Sequence, residues 1–167
     1  MGNKVIEIEQ DFLNIVRDYQ GIIRKVSFLY FRRKDDREDN FQDIIYHLWE
    51  SYNKLQDRKK IGSWIYSIAI FTSISKIRKI SKMRFESNIP DISSDEDLES
   101  LFINNESRQL LYSAIQTLNE IDRALILLHL EEKEYAEIAD ILGITKSNVG
   151  VRLMRIKEKL STLINKR

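Results

Sequence analysis

The sequence predicts an all-α protein in which a flexible linker joins two small helical domains. Glycine and proline break helices, and this chain of 167 residues contains only five glycines and one proline. Apolar residues make up 43 % of the chain, which is enough for packed cores. The single proline lies in a serine-rich acidic stretch at 81–106 that interrupts the helical rhythm. We therefore predict domains at 5–80 and 107–167, with 81–106 as the linker between them.

The first domain shows three amphipathic patterns, at 8–32, 37–56 and 62–79. In the second of them, Phe41, Ile44 and Leu48 recur at the spacing of one helical face. A polar and basic loop separates the second pattern from the third. Three helices of this length can pack around one core, so we predict a small three-to-four-helix domain.

The second domain reads as four helices, at 106–118, 120–131, 134–142 and 146–164. Gly143 stands where a tight turn needs a residue without Cβ strain, and Thr145 stands at the N-cap of the last helix. The last two helices bury their apolar side chains on facing sides: Ile138, Ala139 and Leu142 on one, and Val149, Leu153, Ile156 and Leu160 on the other. This pattern is typical of a DNA-binding helix-turn-helix. The alternative is an ordinary helical hairpin with a solvated basic face.

Charge is distributed unevenly along the chain, although the net charge is only +1. Residues 143–167 hold seven Lys or Arg and one Glu, whereas 81–106 hold two basic and seven acidic residues. Clusters of positive charge attract phosphate backbones. The distribution therefore favours nucleic-acid binding by the last helix and its tail.

Several function classes are excluded or disfavoured by composition. The chain has no cysteine, which excludes disulfides and thiolate metal sites, and His47 and His129 lie far apart without a ligand pattern. No Gly-rich phosphate loop or nucleophile motif is present, so we expect no enzyme activity, no metal and no cofactor. The N-terminus lacks the apolar run of a signal peptide, and no segment reaches the roughly 18 apolar residues of a membrane span. We expect a cytoplasmic protein that does not insert into a membrane.

Two stretches of the first domain, together with the helix-turn-helix, resemble one known family. DREDNFQDIIYHLWES (36–51) and IGSWIYSIAIFTSISKIRK (61–79) are similar to segments of extracytoplasmic-function (ECF) sigma factors of the sigma-70 family. The resemblance implies sigma region 2 at 5–80 and sigma region 4 at 107–167. It also implies binding to core RNA polymerase and promoter-specific initiation through −10 and −35 elements. The NVGVR wording of the last helix is similar to versions common in Bacteroidetes.

The resemblance assigns three sets of contact residues. Segment 36–51 corresponds to the part of the family that docks on the β′ clamp helices of polymerase, which implies polymerase contacts for Asp39, Gln42, Asp43 and Tyr46. Strand opening needs basic groups for phosphates and flat side chains for bases, which implies −10 contacts for Arg58, Lys59, Lys60, Trp64, Tyr66, Lys76, Arg78 and Lys79. The helix-turn-helix implies −35 contacts for Thr145, Lys146, Ser147, Asn148, Val151, Arg152 and Arg155. In one departure from the family, Ile70-Phe71 stands where many members carry an Arg-Asn pair.

The partners implied are core RNA polymerase, promoter DNA and an anti-sigma factor. Two other classes of protein are also consistent with parts of the sequence. One is a stand-alone helix-turn-helix regulator, which would leave segment 36–51 unexplained. The other is a helical adaptor whose basic last helix binds an acidic partner.

Overall fold

A computed structural model of the chain describes residues 2–88 and 106–165. Within these ranges every regular element is a helix, which confirms the all-α prediction. The chain divides into two units, here called the first unit (residues 2–88) and the second unit (residues 106–165).

The first unit contains three long helices and one short turn. The helices are α1 (Gly2–Tyr30), α2 (Lys34–Tyr52) and α3 (Ile61–Ser87), and a 3-10 turn (Arg58–Lys60) precedes α3. The three predicted helices are confirmed, but α3 continues through 81–87, which the sequence pattern assigned to the linker. No glycine or proline interrupts that stretch, and Asn88, in the left-handed conformation, caps the helix after Ser87. The rest of the predicted linker, 89–105, lies outside the described residues.

Each of the three helices of the first unit packs against the other two. The core between them includes Ile23, Val26, Ile44, Ile65 and Ala69, which are fully buried. The burial of all three apolar faces explains why long amphipathic segments fold here as one domain.

A polar link crosses the middle of this core. Asn40 of α2 is fully buried, and its Nδ2 donates to Ser27 Oγ of α1 at 3.0 Å and to Ser73 Oγ of α3 at 2.8 Å. The Ser73 hydroxyl donates in turn to the carbonyl of Ala69 at 2.7 Å. Because buried polar groups are costly unless paired, this link favours one relative register of the three helices. Sequence analysis missed it, although Asn40 occupies the same stripe as Ile44 and Leu48.

The second unit contains four shorter helices, α4 (Glu106–Gln116), α5 (Glu120–Leu130), α6 (Tyr135–Leu142) and α7 (Lys146–Asn165). All four were predicted, and their ends differ from the prediction by at most two residues. The last helix, α7, contacts each of the other three. Leu125, Leu128, Ile138, Val149 and Leu153 form the centre of the apolar core.

The turn between α6 and α7 has the local chemistry that the sequence predicted. Gly143 caps α6 with φ at +66°, a left-handed conformation that glycine adopts at no Cβ penalty. The Thr145 Oγ1 accepts a hydrogen bond from the backbone N–H of Asn148 at 3.1 Å, which is an N-cap. These two residues fix where α7 starts and confirm the predicted helix-turn-helix geometry.

None of the described helices is both long and apolar enough to cross a lipid bilayer. In the same residues, His, Asp and Glu side chains form no group of three or more that could hold a metal ion.

Candidate binding surfaces

The outer side of α7 is exposed, because its inner side is committed to the core. Every apolar residue predicted to face inward on α6 and α7 is buried. Outside that seam lies an exposed surface that we call the recognition face. It consists of Lys146, Ser147, Asn148, Val151, Met154 and Arg155, all of which are exposed. Its residues are polar, basic and apolar, a mixture that suits base edges and phosphates in a major groove.

Met154 belongs to the recognition face but was missed by sequence analysis. Its side chain is 58 % exposed, and that of Val151 is 45 % exposed. Residues three apart on a helix are neighbours, so the two form one apolar patch beside Arg155. The three-residue spacing from Val151 to Met154 was available in the sequence.

Arg152 does not lie with the other predicted groove-facing residues. Its Nε and Nη2 both donate to Asp122 Oδ1 of α5, at 2.9 and 2.6 Å, and only 28 % of the Arg152 side chain is exposed. The sequence pattern placed Arg152 outward because it could not show the carboxylate that α5 presents at this position. The structure corrects that placement, since the guanidinium lies at the junction of α7 with α5.

Gly150 lies near the start of α7 without a steric requirement for glycine. A Cβ built at this position would approach the Tyr135 ring to 3.6 Å, which is ordinary van der Waals contact. Packing inside the unit therefore has room for alanine.

The basic loop between α2 and α3 (residues 53–60) is anchored to α1. Arg58 donates to the Asp11 carboxylate and to the Tyr52 hydroxyl, the latter at 3.1 Å, and Tyr52 itself donates to Asp11. The hydrogen bond from Arg58, and then that from Tyr52, holds the pKa of Asp11 below its ordinary value. Burial and the bond to Asp11 raise the pKa of Tyr52. A phosphate that contacts Arg58 would have to share or displace Asp11, a partner that sequence analysis missed.

The other predicted −10 residues differ in exposure. Lys59, Lys60, Arg78 and Lys79 are exposed, whereas Tyr66 is only 2 % exposed. The Tyr66 ring is packed in the core of the first unit, so its predicted contact with DNA would require the ring to leave that core. Trp64 is half-buried. At the departure from the family pattern, Ile70 is buried and Phe71 is 41 % exposed.

Lys76, a predicted DNA contact, forms an ion pair with Asp43, a predicted polymerase contact. Its Nζ donates to Asp43 Oδ2 at 2.7 Å, and only 22 % of its side chain is exposed. A predicted DNA contact on α3 and a predicted polymerase contact on α2 therefore satisfy each other in the free chain.

One side of α2 presents the predicted polymerase contacts together with an apolar groove. Asp39, Gln42, Asp43 and Tyr46 are all exposed, and we call them the α2 face. Next to this face, side chains of α1 and α2 line a shallow groove: Glu9, Phe12, Leu13, Gln42, Ile45, Tyr46 and Trp49. Leu13 and Trp49 are 58 % and 40 % exposed there. Exposed apolar surface rimmed by polar residues is typical of a protein-binding site.

Two family models match the chain, one in each unit. Residues 15–83 match sigma-70 region 2, and residues 108–160 match sigma-70 region 4. Together the two matches cover more than two thirds of the chain. The chain belongs to the sigma-70 family.

Two relatives among known proteins are sigma factors that match over most of their length. The chain is 28 % identical to the RNA polymerase sigma factor SigV of Bacillus subtilis, over 84 % of this chain and 82 % of SigV. It is 28 % identical to the ECF RNA polymerase sigma factor SigM of Bacillus subtilis, over 96 % of this chain and 94 % of SigM. These matches over most of both chains agree with the resemblance noted in the sequence.

Solved structures share the fold at lower sequence identity. The sigma factor RpoE of Bartonella quintana, crystallised with the anti-sigma factor NepR, is similar with a TM-score of 0.72 and 18 % identity, covering 95 % of this chain and 97 % of RpoE. CnrH, in complex with the cytosolic domain of CnrY, is similar with a TM-score of 0.66 and 17 % identity, covering 95 % of this chain and 90 % of CnrH.

These findings define the activity of the protein. As an ECF-type sigma factor, it binds core RNA polymerase and directs promoter-specific initiation of transcription by reading −10 and −35 elements. A stand-alone regulator is not favoured, because it would leave the region 2 match unexplained.

Proposed function

We propose that three separate surfaces of this sigma factor divide its tasks. The α2 face docks on the β′ clamp helices of core polymerase. The basic loop and the exposed side of α3 engage the −10 element, and the recognition face reads the −35 element. The observation that carries this proposal is that Gln42 and Asp43 on α2 and Arg155 on α7 are exposed, while the apolar sides of both helices are buried.

For the −35 element, the start of α7 and its outer side supply different kinds of contact. The N-terminal amides near Thr145, with Lys146, Ser147 and Asn148, suit a backbone phosphate, because a helix N-terminus carries partial positive charge. Arg155 suits the O6 and N7 acceptors of guanine, and Val151 and Met154 suit thymine methyl groups. This arrangement separates residues that position the duplex from residues that read it.

For the −10 element, Lys59, Lys60, Arg78 and Lys79 supply exposed positive charge for phosphates of an opened strand. Phe71, on the same helix as Arg78 and Lys79, is exposed and supplies an apolar surface where many family members carry a polar residue. Trp64 is half-buried and offers a smaller aromatic surface. Arg58 and Lys76 are already bonded to Asp11 and Asp43, so their part in DNA contact requires exchange of partners.

For polymerase docking, the α2 face combines charge with the neighbouring apolar groove. Asp39, Gln42 and Asp43 supply polar contacts, and Tyr46 continues into the groove that contains Leu13 and Trp49. Protein interfaces commonly have an apolar centre rich in aromatic residues and a polar rim, and this side of the first unit has both.

Arg155→Ala tests the recognition face. We expect it to relax the base preference at one or two −35 positions, at a cost of about 1–3 kcal/mol against the preferred base, while affinity for core polymerase is unchanged. Lys157→Ala is the matched control, because it removes one exposed positive charge from the same helix outside the recognition face. Transcription from promoters with every single −35 substitution measures the effect. Equal loss of promoter reading and of polymerase binding would contradict the assignment.

The double change Gln42→Ala with Asp43→Asn tests the α2 face. We expect weaker binding to core polymerase, with helical content and thermal unfolding of the free chain close to those of the wild type. Asp35→Ala is the control, because it removes an exposed carboxylate at the start of the same helix. A binding titration with fluorescently labelled protein gives the affinity. Unchanged affinity for core enzyme would remove these two residues from the interface.

Three further assignments belong to this proposal. The complex of the sigma factor RpoE with the anti-sigma factor NepR supports an anti-sigma factor as a partner of this chain. We place the protein in the cytoplasm, where transcription initiation takes place, and assign it no enzymatic activity. The NVGVR sequence of α7 supports a Bacteroidetes affiliation.

The anti-sigma partner can be tested by isolating the chain from its native cells. Recovery with a protein that blocks transcription by the reconstituted holoenzyme would support it, and recovery only with core polymerase would contradict it.

A further inference from the structure

Arg152 is held inside the second unit by an ion pair that joins the middle of α7 to the start of α5. The Nε–Nη2 edge of its guanidinium faces a single oxygen, Asp122 Oδ1, at 2.9 and 2.6 Å. The exposed fraction is 28 % for the Arg152 side chain and 20 % for the Asp122 side chain. Partial burial reduces solvent screening, so this pair is stronger than an ion pair on an open surface.

Asp122 is itself fixed by the cap of α5. Its backbone N–H donates to Asn119 Oδ1 at 2.9 Å, and its Oδ2 accepts from Asn119 Nδ2 at 2.7 Å. Asn119 thus caps the first turn of the helix with its side-chain oxygen and donates to the Asp122 carboxylate with its side-chain amide. A carboxylate at a helix N-terminus is also favoured by the helix dipole. The anion that receives Arg152 is therefore held in place by α5.

We propose that Arg152 is a positioning residue for −35 recognition: its bond to Asp122 sets the rotation of α7 that turns Val151 and Arg155 toward DNA. This inference rests on the proposed role of the recognition face. The buried seam of α7 fixes which side faces the core, but aliphatic contacts are not directional. A two-bond ion pair at the edge of the seam adds direction, because both donors converge on one fixed oxygen.

The geometry separates Arg152 from Arg155, although both were predicted to contact DNA. Arg155 is exposed, and its side chain lies on the recognition face. The Nε–Nη2 edge of Arg152, one of the edges that could hold a guanine by two bonds, is already occupied by the protein. Arg152 thus acts on the promoter through the orientation of its neighbours.

The test uses the full chain bound to core polymerase and a set of promoters that carries every single −35 substitution. The variants are Arg152→Gln, Asp122→Asn and the double change, with Arg155→Ala as the base-reading comparison. Arg152→Lys is included because it keeps the charge but loses the fork of donors. Circular dichroism at the assay temperature establishes that each variant is folded.

The expected result is a loss of about tenfold in promoter use for Arg152→Gln, by the same factor on all −35 sequences. Asp122→Asn should give a loss of similar size and equal uniformity. The double change should be little worse than either single change, because both remove the same bond. Arg152→Lys should lie between Arg152→Gln and the wild type.

Two results would overturn the proposal. If Arg152→Gln relaxes preference at one −35 position while Asp122→Asn does not, Arg152 reads a base. If Arg152→Gln lowers the salt dependence of promoter binding and Asp122→Asn has no effect, Arg152 contacts a phosphate. Failure of the proposed recognition face is distinguishable, because Arg155→Ala would then leave all −35 preferences intact.

Discussion

The two units fix their helices by different means. The described buried polar residues, Ser27, Asn40 and Ser73, all lie in the first unit, where they link α1, α2 and α3 through the core. The second unit has an apolar core, and its polar links lie at the edge, where Asp122 joins Arg152. Long helices can slide along one another, so a buried polar link specifies their register. The shorter helices of the second unit are joined instead by a cap and an edge contact, as at Asp122 and Arg152.

The largest expected effect is a loss of stability in the second unit alone. Leu153→Ala removes a nearly fully buried side chain from the seam of α7 and should lower the free energy of unfolding of this unit by about 3 kcal/mol. Amide hydrogen exchange of the full chain should show lost protection at 106–165 and unchanged protection at 2–88. Val151→Ala, an exposed position on the same helix, is the control. Equal loss in both units would mean that they do not unfold independently.

The next effect tests the polar link of the first unit. Asn40→Ala removes the donor to Ser27 and Ser73 and should lower the free energy of unfolding of that unit by about 2 kcal/mol. Asn53→Ala, at an exposed position just after the same helix, should change it much less. Thermal and denaturant unfolding provide the measurement. Unchanged stability in Asn40→Ala would show that apolar packing alone sets the register of the three helices.

A smaller effect of opposite sign is expected in the second unit. Gly150→Ala should raise its free energy of unfolding by about 0.5–1 kcal/mol, because alanine favours the helix and its Cβ meets Tyr135 at an ordinary distance. Denaturant midpoints of the two proteins give the difference. A more stable variant with weaker −35 use would show that glycine serves close approach of the helix backbone to DNA. A less stable variant would contradict the packing argument.

The smallest effect is a pH dependence confined to the second unit. Burial, and then the nearby charge of Lys157, lowers the pKa of His129 below its ordinary value of about 6.5. The folded state therefore binds fewer protons than the unfolded state, so this contribution to stability is complete above the ordinary pKa. It is lost as the pH falls below about 6.5. The difference in unfolding midpoint between wild type and His129→Gln, followed from pH 8 to pH 5, measures it. A difference that does not change with pH would contradict the lowered pKa.

The helix-turn-helix was determined by the sequence because its signals are local. A glycine at positive φ, a threonine N-cap and four apolar residues at helical spacing act within a few residues of one another, and the structure confirms all of them. The three-helix first unit follows in the same way from amphipathic periodicity. Periodicity did not predict the length of α3. The acidic composition that follows the helix placed the predicted boundary at 80, although the helix continues for seven more residues, to Ser87.

Only the tertiary structure decided which polar side chains face a partner inside the protein. The sequence predicts DNA contacts for Arg58, Lys76 and Arg152. In the structure each of them bonds to an aspartate that is 30 to 47 residues away along the chain. Helical periodicity places a residue on a face, but a long flexible cation near the edge of that face is directed by whichever anion the neighbouring helix presents. That anion is fixed by how the helices pack, which is not encoded in any short stretch of sequence.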